Sequence, residues 1–266
     1  MLQDTQELKL AVLIDADNVP YSNVKGMMEE IAKYGTPTTK RIYADWTKPN
    51  AGGWKSVLLE HAITPIQQYS YTVGKNSSES AMIIDAMDLL YSDKVDGFCI
   101  VSSDSDFTRL AIRLRESGMK VIGIGEKKTP NSFIVACDRF VYIEVLEGAI
   151  KKTRTLVSGR SKTPKTTAPS SGSKKQAEKD TSSKIDNQTI ELIESTLEAI
   201  GDDDGWAFLG DVGNLIVKKK PEFDPRNYGF SKLTPMLKSL TDILEIDERE
   251  SDKKGIKHVY VRLRYS

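Results

Sequence analysis

The stretch Lys9 to Asn18, KLAVLIDADN, constrains this chain more than any other. Its five consecutive apolar residues, Leu10 to Ile14, read as a strand buried on both faces, the kind found in parallel sheets covered by helices. The strand runs straight into Asp15, Asp17 and Asn18. Packing has no use for that ending, because an isolated buried carboxylate is costly unless it is paired or holds a metal. Open parallel sheets bind ligands at the carboxyl ends of their strands. The ending therefore reads as the first wall of an acidic pocket.

The surrounding residues repeat the strand in alternation with helices. Strands are expected at Leu10–Ile14, Thr39–Ala44, Thr64–Gln68, Phe98–Val101, Val121–Ile124 and Phe140–Ile143. Helices are expected at Ser22–Lys33, Gly53–Ala62, Ser78–Tyr91, Phe107–Ser117 and Ser132–Cys137. Such alternation predicts an α/β domain: a mainly parallel sheet with helices on both faces.

Charge divides the chain further. Residues 1–150 carry 16 Lys and Arg against 20 Asp and Glu, residues 151–184 carry 10 against 2, and residues 185–266 carry 12 against 16. The middle segment is rich in Ser, Thr, Lys, Gly and Pro and has no aromatic residue, so it cannot bury enough apolar surface to offset the entropy of ordering. It reads as a basic, flexible linker, with contact to nucleic-acid phosphates as its functional alternative. Three domain assignments follow: 1–150, the linker 151–184, and 185–266. In the last, a helical stripe (Ile185, Ile190, Ile193, Leu197, Ile200) precedes helices at Phe208–Val217 and about Gly229–Leu240. Strands at Ile243–Glu248 and Lys257–Leu263 complete a winged-helix pattern.

No apolar run approaches the ~20 residues that span a bilayer, and the N-terminus lacks a signal-peptide pattern. The two cysteines, Cys99 and Cys137, lie in apolar surroundings and are expected to be reduced core thiols. With two cysteines and two histidines, a structural zinc site is not expected. These features predict a cytoplasmic protein with no membrane partner.

Further acids complete the pocket. Phe98–Asp106, FCIVSSDSD, repeats the opening pattern, delivering Asp104 and Asp106 from the end of an apolar strand. In NSSESAMIIDAMD, Glu79 and Asp85 are six residues apart and do not share a helix face, so one of them is expected to reach the pocket. Several carboxylates at one sheet edge repel, and one would keep its proton unless a cation intervened. Hard oxygen ligands suit Mg2+ or Mn2+ and disfavour Zn2+. A metal-held water can attack a phosphodiester while the ion neutralises charge on the phosphate, with Asn18 placed to orient either group. Plainer roles exist for the same residues: a capping box for Asn76 and Glu79, helix-cap chemistry for Ser103 and Asp106, and a turn for Asp15 to Asn18.

The segments LIDADN, RIYADW, GKNSSESAMIIDAMDLL and VSSDSDFTRLAIRLRESGMKVIGIGEKKTP resemble the NYN domains, of the LabA-like group within the PIN-like nuclease superfamily. The resemblance covers Leu10 to about Leu146. It implies a Rossmann-like PIN fold and metal-dependent ribonuclease activity, with Asp15, Glu79, Asp104 and Asp106 as metal ligands and Asn18 beside them in the catalytic set. Position 79 is usually Asp in that pattern, and here it is Glu. Residues 185–266, through GWAFLGDVGNLIVKKKPEFDPRNYGFSKLTPMLKSL and KHVYVRL, resemble an OST-HTH (LOTUS) winged-helix domain, which implies RNA binding and, in some members, a protein partner. This domain order is known in bacterial proteins. Lys218, Lys219, Lys220, Arg226 and Lys232 would direct cations at phosphates, and Tyr228 would stack on unpaired bases. Phe230 and Trp206 are stacking candidates as well, with the core as the plainer place for Trp206, Phe208 and Phe230. The competing reading is a catalytically weak or inactive RNA-binding scaffold. A dehalogenase-like phosphatase is a third, because Asp15 and Asp17 after a strand imitate its nucleophile pair. Oligomeric state is left open.

Overall fold

The computed structural model describes residues 7–47, 53–69, 77–146, 185–250 and 257–264, and of Asn18, Ser77 and Ser78 the backbone alone. The linker 151–184 and Asn76 lie outside the described residues. The chain divides into two compact units, one led by the N-terminal α/β segment and the other by the C-terminal segment.

In the first unit, six parallel strands stand in the order β3-β2-β1-β4-β5-β6. They are β1 (Lys9–Asp15), β2 (Thr36–Ala44), β3 (Thr64–Gln67), β4 (Gly97–Val101), β5 (Lys120–Gly125) and β6 (Arg139–Tyr142). Between them run α1 (Val24–Ile31), α2 (Trp54–His61), α3 (Ser77–Tyr91), α4 (Thr108–Glu116) and α5 (Asn131–Ala136). Strand alternation divides the core. Leu10, Val12 and Ile14 pack with Met27, Ile31, Trp54 and Leu58 on one face. Ala11 and Leu13 pack with Met82, Leu110, Leu114, Phe133 and Phe140 on the other. Both faces of β1 are thus covered, which is why its sequence is continuously apolar. Asp85, on α3, binds Arg41 and the Tyr43 hydroxyl of β2. The strand order reverses between β1 and β4, the topological switch point where doubly wound sheets form their binding crevice.

Cys99 and Cys137 are free and buried. Burial pushes the Cys137 thiol up to about 12 and the Cys99 thiol higher still. Neither is a thiolate at neutral pH, and the thiolate is the reactive form. A disulfide-exchange reagent should therefore meet two slow thiols in the native chain and two fast ones after urea unfolding. Rapid native labelling of either would contradict this packing.

In the C-terminal segment, helices Asn187–Ile200, Leu209–Lys219 and Leu233–Lys238 accompany a sheet of order β7-β9-β8, made of β7 (Ala207–Phe208), β8 (Leu244–Glu250) and β9 (Lys257–Leu263). Asp186 caps the first helix by accepting the Thr189 N–H at 2.8 Å. Two features differ from the sequence expectation. The third helix is shorter than Gly229–Leu240, because Gly229 sits at φ +84° after a 3-10 turn at Pro225–Tyr228. That left-handed backbone ends the turn and precludes a helix through it. The sheet also gains β7, since Ala207 and Phe208 pair with Val261 and Tyr260 of β9.

Candidate active site

β1 and β4 end in the same local device. Asp15 closes β1 in extended backbone (φ −84°, ψ 107°), and its Oδ1 accepts the Asp17 N–H at 3.2 Å, turning the chain into a 3-10 helix, Ala16–Asn18. Asp104 follows β4 in similar backbone (φ −90°, ψ 137°), and its Oδ1 accepts the Asp106 N–H at 2.9 Å, opening the 3-10 helix Ser105–Phe107. Ile14 pairs with Val101, so the two devices lie side by side.

Ser102 joins them. It is fully buried; its hydroxyl donates to Asp15 Oδ2 at 3.0 Å and accepts the Asp104 N–H at 3.1 Å. One oxygen thus fixes the carboxylate of the first strand and the backbone of the second. Ser103 takes a different partner from the one its spacing suggested. Its Oγ accepts the Glu126 N–H at 2.9 Å, tying the β5 end to the same loop, while Asp104 caps the turn.

Glu79 is buried in the first turn of α3. Its carboxylate gathers with those of Asp104 and Asp106, with one oxygen of each within 4.8 Å of the others. Of the pair Glu79 and Asp85, the former reaches the cluster. Asp15 is not one of the three; it adjoins them through Ser102. Asn18 is placed by its backbone in the turn after Asp15, and its side chain lies outside the described residues. Asp104 is half-buried and Asp106 exposed, so the cluster grades from protein to solvent. Three carboxylates this close repel, and a hard divalent cation is the partner their chemistry suits. Among the described residues, neither Asp104 nor Asp106 is ion-paired with lysine or arginine.

Gly125 sets the fit of this edge. A Cβ there would lie 2.6 Å from the Ser102 carbonyl oxygen and 2.7 Å from Thr129 Oγ1. Gly125→Ala should cost about 1–3 kcal/mol in urea unfolding, the usual range for overpacking. Wild-type stability would show that the loop yields freely.

The basic residues expected to bind RNA are differently engaged. Lys218, Lys219 and Lys232 are exposed and Lys220 is half-buried. Arg226 forms a two-point pair with Asp224, Nε to Oδ1 at 2.9 Å and Nη2 to Oδ2 at 2.6 Å. The Tyr228 hydroxyl meets Thr189 Oγ1 at 2.7 Å, linking the 3-10 turn to the first helix of this unit. Trp206 and Phe208, expected in the core, are half-buried and exposed respectively, because they face outward on and beside β7.

The NYN domain profile matches residues 9–144. The chain belongs to the NYN-domain family. An OST-HTH/LOTUS domain follows, matched over residues 180–256, so the two regions occur in the order their motifs suggested. The six-stranded parallel sheet flanked by helices is the NYN/PIN α/β fold, and the two domain types together support a nuclease-type function associated with RNA. Among solved structures, a protein of unknown function from Vibrio parahaemolyticus is 22% identical, over 53% of this chain and 96% of that one, with a TM-score of 0.45. An uncharacterized protein from Nitrosomonas europaea, solved by NMR, is 31% identical over 38% of this chain and 94% of that one, with a TM-score of 0.30. No curated protein matches the NYN chain. None of its described helices is long and apolar enough to cross a membrane.

Proposed function

We propose that this NYN-domain chain is a Mg2+- or Mn2+-dependent ribonuclease whose LOTUS domain recruits the RNA. The observation that carries the reading is the meeting of Glu79, Asp104 and Asp106 at the switch point of the sheet. Two separate segments, the first turn of α3 and the turn after β4, supply these acids, and a fold gains no packing from bringing them together. Glu79, Asp104 and Asp106 would hold the ion, which when bound supplies charge neutralisation at the phosphate and an activated water. Asp15, anchored by Ser102, adds negative charge behind the trio and holds its turn in register with that of Asp104. Asn18 is proposed to orient the water or the phosphate by hydrogen bonding. Asp106, the exposed member, stands where an RNA phosphate would approach. In the LOTUS domain, Lys218, Lys219, Lys220 and Lys232 are proposed phosphate contacts. The proposed domain limits are 1–150 and 185–266, joined by the linker 151–184.

The test is cleavage of end-labelled single-stranded RNA by the purified chain with Mn2+, with Mg2+ and with EDTA. Product with either metal and none with EDTA is the expected result. Binding without cleavage in any metal would favour the scaffold reading. Cleavage undiminished by EDTA would remove the metal from the account.

A further inference from the structure

The three-stranded sheet of the LOTUS domain has two unlike faces. Ala207, Leu244 and Val261 are buried on the inner one. Period-two alternation places Trp206, Phe208, His258, Tyr260, Arg262 and Arg249 on the outer one. These planar groups are arrayed together. The Arg249 guanidinium lies over Tyr260 at 4.2 Å and over Trp206 at 5.3 Å, and Arg262 lies over Trp206 at 4.6 Å. Phe208 stands against His258 at 5.5 Å and Tyr260 at 5.9 Å, and remains 38% exposed. Carboxylates hold the guanidiniums in place: Asp247 accepts from Arg249 Nε at 2.8 Å, and Glu245 accepts from Arg262 Nε at 2.9 Å.

We infer that this outer face is a stacking platform for unpaired RNA bases, an inference that rests on the RNA-directed reading above. Rings and guanidinium planes are the surfaces on which proteins stack splayed bases. The face is unlike a protein-docking patch, since its aliphatic residues point into the core and its outer charges are paired. The two arginines are balanced by Asp247 and Glu245, so the face carries no net charge to attract phosphate. Affinity here would come from stacking, and the salt dependence from lysines elsewhere.

The test is fluorescence anisotropy of the full chain with a labelled single-stranded oligoribonucleotide, in EDTA to prevent cleavage, across a salt series. Phe208→Ala should weaken binding roughly ten-fold, the scale of one lost base stack. The slope against salt should not change, because no phosphate contact is removed. Phe208→Trp should restore affinity, and a duplex of the same sequence should not sense Phe208→Ala. Arg249→Ala, also at an exposed position, is the second variant should the first lower the thermal unfolding temperature. Wild-type affinity in both alanine variants, equal loss on duplex RNA, or a flattened salt slope would overturn the platform while leaving the RNA reading intact. Absence of any RNA binding by the wild type would overturn both.

Discussion

Asp104→Asn should lower metal-dependent RNA cleavage by at least ~10³-fold, since a catalytic ion stabilises the transition state by several kcal/mol. The substitution keeps the size of the side chain. It also keeps an oxygen able to accept the Asp106 N–H that now bonds Oδ1 at 2.9 Å, so the turn survives. What disappears is one negative charge from a trio whose oxygens lie within 4.8 Å of one another. Urea unfolding should therefore change by less than ~1 kcal/mol, as for substitutions away from core and buried pairs. That pairing, intact fold and lost chemistry, is the signature to look for. Undiminished cleavage would remove the proposed mechanism, whatever the fate of the RNA reading.

Phe133→Ala should act in the opposite sense, with a large effect on stability and a smaller one on chemistry. Phe133 is fully buried on α5, with ring centres 6.5 Å from Phe107 and 5.9 Å from Phe140. Truncating a buried phenylalanine costs about 3–5 kcal/mol through lost transfer energy and the cavity left behind. The urea midpoint of the NYN domain should fall accordingly, with little change in slope. The site would feel the loss through Phe107, which ends the 3-10 turn carrying Asp106 and is itself fully buried. Mn2+ affinity should drop modestly at temperatures where the variant is folded. A stability loss under ~1 kcal/mol would mean that the three rings are not packed as the core requires.

The strands and helices of the NYN domain were legible because their signals are local. Leu10 to Ile14 is apolar on every residue since helices cover both faces of β1. The acids Asp104 and Asp106 were legible as the abrupt end of a buried strand. Ser102 was not, because its role depends on the pairing of β1 with β4, which no stretch of sequence records. Asp15 was legible as the end of the first buried strand, but its bond to Ser102 was not. In the LOTUS domain, the sequence predicts a helix starting at about Gly229, whereas the 3-10 turn capped by Asp224 ends there in a left-handed glycine. Arg226 and Tyr228 are expected RNA contacts in sequence; the partners of their polar atoms, Asp224 and Thr189, are what the sequence did not reveal. The outer sheet face did leave a signal. KHVYVRL alternates His258, Tyr260 and Arg262 with Val259, Val261 and Leu263, the period of a half-buried strand. Its partner β7 is two residues long and left none.

The proposed nuclease chemistry requires that Glu79, Asp104 and Asp106 together hold a divalent ion. Isothermal titration of Mn2+ into the full chain, beside Glu79→Gln and Asp106→Asn, tests it without reference to any RNA. The account predicts saturable binding by the wild type, weakened at least ~10-fold in each variant, as for loss of a metal-site residue. Indistinguishable titrations for the three proteins would contradict it.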